Sequence, residues 1–170
     1  MSPLRLIGGV LAVAATAWLQ IAWFGHVRPL GIIPNCMLLV VIMLALLSDA
    51  TPALAAAIGG GLLLDLASGS DFGLNMAFYV VTALAIIAGR QLGLHATSVI
   101  TGIVAAILGT VLYNLVLLAT LKAPLSGVAV SRIGRELLLN LILLLLMYVV
   151  VANLRGRSRV IAELGIGVPR

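Results

Sequence analysis

Charge is what this chain has least of. Ten of its 170 residues are Lys or Arg and five are Asp or Glu, 9% in all, where an ordinary soluble domain has roughly 25%. That scarcity excludes a soluble fold. Aromatics stand at 5%, and no basic stripe is interleaved with them, so the net charge of +5 does not indicate nucleic acid as a partner. The single cysteine, Cys36, cannot close an internal disulfide and reads as inert packing at the start of an apolar run. Catalytic motifs are missing as well: there is no G-x-x-x-x-G-K-[ST], no H-E-x-x-H and no paired-cysteine pattern. Asp71-Phe72-Gly73 spells a kinase tripeptide, but without its companion motifs it is a coincidence. His26 and His95 are expected at opposite membrane faces and so cannot share a metal. No cofactor, no metal and no enzymatic activity are expected.

What the chain does have is hydrocarbon. It is 63% hydrophobic, with a mean hydropathy of +1.28. Its few charges cluster between long apolar runs, the pattern of a polytopic inner-membrane protein. The expected fold is all-α: one integral membrane domain over residues 1–170, with about six transmembrane helices in a compact bundle. The spans read as 6–24, 32–47, 52–67, 74–89, 97–121 and 137–153. Arg5 followed by an apolar stretch with Ala12 and Ala14 resembles a signal peptide, but five more apolar runs follow, so it reads as an uncleaved first span. Pro34 is expected in the first turn of span two, and Thr51-Pro52 as N-cap and first residue of span three. Residues 128–136 read as an interfacial helix leading into span six.

Orientation follows from the basic residues. Arg5, Arg90, Arg155, Arg157, Arg159 and Arg170 fall on the side of the termini, and Arg28, Lys122, Arg132 and Arg135 fall opposite. Three tail arginines adjoin the last span, which predicts both termini in the cytoplasm and a contact of Arg155, Arg157 and Arg159 with anionic lipid.

Lipid gives helices little reason to associate, so close packing uses small residues. Span three carries Ala53, Ala57 and Gly61 at a spacing of four, with Gly60 alongside; span five carries Gly102, Ala106 and Gly109. Both faces are expected to bury against neighbours. Asn114 and Asn140, inside spans five and six, are expected to clasp one helix to another. Asp65 ends the run Gly59-Gly60-Gly61-Leu62-Leu63-Leu64-Asp65; a carboxylate at the edge of an apolar helix is costly to desolvate and is kept for a partner or a function. With Asp71, Arg28, Arg132 and Arg135 expected on the same face, it forms a candidate charge network or partner contact, in which Asp65 pairs with Arg28 or with Arg132 or Arg135.

Residues 34–90 resemble the bacterial rod shape-determining protein family MreD. The resemblance rests on Pro34-Asn35 opening an apolar span, Gly60-Gly61-Leu62-Leu63-Leu64-Asp65-Leu66, Ser68-Gly69-Ser70, Gly73-Leu74 opening the next span, and Gly89-Arg90 closing it. It implies a non-enzymatic scaffold subunit of the cell-elongation complex in the bacterial inner membrane, supporting peptidoglycan synthesis and cell shape. The partner it implies is MreC, a single-span protein, beside RodA, an elongation penicillin-binding transpeptidase and the actin-like MreB. The family is similar in fold to the substrate-binding subunits of energy-coupling-factor vitamin transporters, which supplies the alternative of a small-molecule binding or transport subunit. For that alternative Asn75, Tyr113, Asn114 and Asn140 are the available polar groups.

Overall fold

A computed structural model describes residues 3–68, 72–93 and 99–163. All regular structure among them is helical: α1 (Pro3–Trp18), α2 (Phe24–Val27), α3 (Cys36–Leu47), α4 (Ala50–Ser68), α5 (Leu74–Gln91), α6 (Val99–Thr120) and α7 (Gly127–Glu163). A π-helical turn at Leu19–Trp23 fuses α1 and α2 into one bulged rod, and a 3-10 turn at Pro29–Gly31 follows. Four stretches are long and apolar enough to cross a membrane: Ala50–Ala67, Leu74–Gln91, Val99–Thr120 and Gly127–Asn153. Two shorter apolar stretches, Leu11–Val27 and Cys36–Leu47, bring the apolar helical segments to six among the described residues.

The short helix α3 is the hub. It packs on α1, α4, α5, α6 and α7, and Met37, Leu38, Leu39, Val41 and Ile42 are fully enclosed. Apolar side chains surround it on every side, as expected of a helix that meets protein rather than lipid all round. The expected span 32–47 is therefore helical only from Cys36. Pro34 lies outside the helix, in the non-helical stretch between the 3-10 turn and α3. At its start α4 is longer than expected, taking in Thr51 and Pro52 as helical residues. The connection expected before span six is absent as a separate element: one helix of 37 residues runs from Gly127 to Glu163. Nothing in 127–163 breaks it, for the run has no proline and its two interior glycines, Gly134 and Gly156, weaken a helix without ending it.

Glycine sets the approach of α4. A methyl group on Gly61 would collide with the backbone of Met76 in α5, reaching its nitrogen at 2.7 Å. One on Gly60 would run into the side chain of Met37 in α3. Ala53 and Ala57 are fully buried in the same helix. On α6, a methyl on Gly102 would meet the Tyr148 ring, and one on Gly109 would reach Leu38 at 3.4 Å; Ala106 between them is fully buried. Small residues thus bring α4 onto α3 and α5, and α6 onto α3 and α7, while α5 and α6 touch little and leave an apolar groove between them.

Candidate functional site

Asp65 is 2% exposed and does not pair with an arginine. Its Oδ1 accepts from the Asn75 backbone N–H at 2.9 Å and from Asn75 Nδ2 at 2.9 Å, and its Oδ2 accepts from the Met76 N–H at 3.1 Å. These N–H groups belong to the first turn of α5, which opens after Gly73 with no side-chain cap of its own. Helix N-termini carry unpaired donors and a partial positive charge. So α5 itself supplies what the expected pairing with Arg28, Arg132 or Arg135 would have supplied. Among the described residues no salt bridge reaches Asp65.

A second cap starts α3 inside the bundle. Asn35 Oδ1 accepts from the Leu38 N–H at 3.1 Å and from the Tyr79 hydroxyl at 2.7 Å. The Met37 N–H donates to Gln20 Oε1 at 2.9 Å, from the π-helical turn after α1. The Cys36 N–H donates to the Pro34 carbonyl, and the Asn35 N–H to Asn140 Oδ1 at 3.0 Å. A helix beginning at membrane depth is tolerated only if its donors are met by protein, and here each is. At the other end, Arg90 Nη1 donates to the carbonyls of Ala45 (2.7 Å) and Ser48 (2.6 Å), closing the C-terminus of α3.

The remaining polar groups join these caps. Asn140 Nδ2 donates to Thr110 Oγ1 at 3.0 Å. Asn114 Nδ2 donates to the Thr110 carbonyl at 2.9 Å and to Glu136 Oε2 at 3.2 Å. The Tyr113 hydroxyl donates to Asn75 Oδ1 at 2.7 Å. Phe78, Tyr79 and Tyr113 pack together beside them, Phe78 edge-on to both tyrosines. Asn114 and Asn140 thus do link helices, but with Thr110, Glu136 and Asn35 rather than with each other. Gln20, Tyr79 and Thr110 had no part in the sequence reading. For Thr110 the signal available was its place four residues before Asn114, on one helix face.

The arginines lie at the rim of the same end of the bundle. Arg28 ends α2 in a left-handed conformation (φ 40°), and Arg135 Nη1 reaches across from α7 to the Leu30 carbonyl at 2.9 Å. Arg28, Arg132 and Arg135 line one cavity of about 320 Å³ with Gly31, Ile32, Ile33 and Val128. Asp71 and His95 lie outside the described residues. The backbone at Arg155, Arg157 and Arg159 continues α7, but their side chains are outside what is described. No group of His, Cys, Asp and Glu among the described residues is placed to hold a metal ion.

Residues 4–156 match the family model of the rod shape-determining protein MreD. The chain belongs to the MreD family. It is thereby a protein of rod shape determination, in a family of shape-determining membrane proteins rather than of enzymes. Its apolar helices place it as a multi-pass membrane protein. No curated protein and no solved structure gives a significant match. The transporter alternative finds no support here. The polar groups it would need, Asn75, Tyr113, Asn114 and Asn140, are taken up by other protein groups: Asn75 by Asp65 and Tyr113, Asn114 by Thr110 and Glu136, and Asn140 by Asn35 and Thr110. The groove between α5 and α6 is lined mainly by apolar side chains such as Leu46, Val81 and Leu108.

Proposed function

We propose that this chain is the membrane scaffold of the bacterial cell-elongation complex. Membership of the MreD family across residues 4–156 is the observation that carries the reading. In it, the protein spans the inner membrane six times with both termini in the cytoplasm, and its outer face holds the span and juxtamembrane segment of an MreC-like partner. That fixes the partner relative to RodA and the elongation transpeptidase, with MreB on the cytoplasmic side. The fold suits this role. Its interior polar groups hold helix ends together, making a rigid body that presents apolar flanks within the membrane and the rim of Arg28, Arg132 and Arg135 at one end.

The test is affinity purification from membranes in a mild detergent, with identification of the co-purifying proteins. Recovery of an MreC-like single-span protein is the expected result, with crosslinks to residues near Arg28, Arg132 and the α4–α5 turn. Recovery of ATPase subunits with a coupling membrane protein would overturn the scaffold reading, and crosslinks confined to the Arg90 end would overturn the placement of the contact.

A further inference from the structure

We propose that the cavity between Arg28, Arg132 and Arg135 is a binding site for the phosphate headgroup of an anionic membrane lipid. Three guanidinium groups share one cavity of about 320 Å³, and among the described residues none of them forms a salt bridge. Glu136, one turn beyond Arg132, attracts it electrostatically but is turned inward: it is 5% exposed and accepts from Asn114. Arg28 donates its Nε to the Gly25 carbonyl. Arg135 is anchored to the Ser131 and Leu30 carbonyls. Arg132 donates to no protein group among the described residues. Each guanidinium carries five N–H donors, so most of this donor capacity is left for something other than protein. Three gathered like charges repel, the inward-turned Glu136 offsets them only in part, and an anion between them reverses the sign of the interaction. Planar guanidinium groups match phosphate oxygens in pairs.

The position selects a lipid as the carrier of that phosphate. Trp23, 57% exposed, sits one turn before the end of α2, near the end of the apolar stretch Leu11–Val27, and aromatic rings at the ends of such stretches favour headgroups. Arg132 and Arg135 precede the long apolar run of α7. Arg132 and Val128 also line a second cavity, of about 270 Å³, whose other walls include Leu117, Leu118 and Leu121. One ridge of α7 therefore has a basic cup on one side and an apolar cleft on the other. That combination fits an amphiphile, with phosphate in the cup and an acyl chain in the cleft. A free phosphate would have no use for the cleft.

The inference does not depend on the scaffold reading, and its test uses the isolated full-length chain. Native mass spectrometry of protein released from detergent would score bound phosphatidylglycerol against phosphatidylcholine. One tightly retained phosphatidylglycerol is expected. Each basic residue near an anionic surface contributes roughly fivefold, so Arg28→Gln with Arg132→Gln should lower retention by about 25-fold. Arg132→Lys should hold much of it, and inorganic phosphate at millimolar concentration should not displace the lipid. Equal retention of the two lipids by the unaltered protein would overturn the proposal, which keeps the test decisive even if the double variant fails to fold. Displacement by inorganic phosphate would overturn the choice of a lipid. So would a double variant that loses a co-purified MreC-like partner while keeping its phosphatidylglycerol, for the arginines would then serve a protein.

Discussion

Asp65 illustrates how much a single buried residue discloses and where its sequence context stops. A lone carboxylate ending an apolar helix marks itself as important, and the structure gives it three hydrogen bonds. Its partner was misread because a helix N-terminus carries no letter of its own; the positive end of α5 exists only once the chain has turned back through Gly73. Asp65→Ala leaves the Asn75 and Met76 N–H groups unmet in a site without ready access to water. The expected loss is about 1–3 kcal/mol, read as a lower unfolding temperature in detergent and a lower level in the membrane. Asp65→Asn keeps one acceptor but loses the charge facing the helix dipole, a smaller loss of about 1 kcal/mol. Unchanged unfolding temperatures in both variants would mean that the cap does not stabilise the hairpin. The same limit explains Gln20 and Tyr79. Each lies in a largely apolar run, and only the start of α3, far away in sequence, gives it a task.

Among the elements, the glycine run of α4 makes the sharpest distinction. In the sequence Gly59, Gly60 and Gly61 look equivalent, and only helical phase separates them. A methyl on Gly59 meets nothing within 4 Å, one on Gly60 meets the flexible Met37 side chain, and one on Gly61 meets the backbone of α5. Gly59→Ala is therefore expected to be neutral or to stabilise the helix by up to about 1 kcal/mol. Gly60→Ala should cost less than Gly61→Ala, since a methionine can swing aside. Gly61→Ala should cost about 1–3 kcal/mol, because the backbone of Met76 cannot move without moving α5. Thermal unfolding of the three variants checks the order, and a Gly59 variant as damaged as the Gly61 variant would contradict the packing. The small-residue spacing on α4 and α6 was legible because period alone reveals it. The continuity of α7 was not, since charged residues at 132–136 suggested an interface where the helix runs straight through.

For the whole molecule the open quantity is how the chain crosses the membrane around α3. Twelve helical residues rise only about 18 Å, short of a hydrocarbon core of about 30 Å. The four non-helical residues 32–35 add about 13 Å if extended at roughly 3.3 Å each. That is an upper bound, since the Cys36 N–H closes a tight turn on the Pro34 carbonyl, and helix and lead-in together then approach the membrane thickness without a longer helix. The backbone of that lead-in can lie at membrane depth because protein surrounds it: Ile32 and Asn35 are 4% exposed, and Asn140 takes the Asn35 N–H. This predicts an alternating topology that single-cysteine labelling can follow, with Cys36 replaced by serine so that the introduced thiol is the only one. Thiols placed at Arg28 and Lys122 should react from the outside with a membrane-impermeant reagent. Thiols at Asp49, Gln91 and Asn153 should react only after the membrane is opened. Labelling of Asp49 from the outside would show that α3 turns back on the side it entered, leaving an odd number of crossings and separating the two termini. Labelling of Asp49, Gln91 and Asn153 from the outside, with Arg28 and Lys122 protected, would keep six crossings but invert the orientation; the arginine rim would then face the cytoplasm, and a partner held at that rim would have to meet it there.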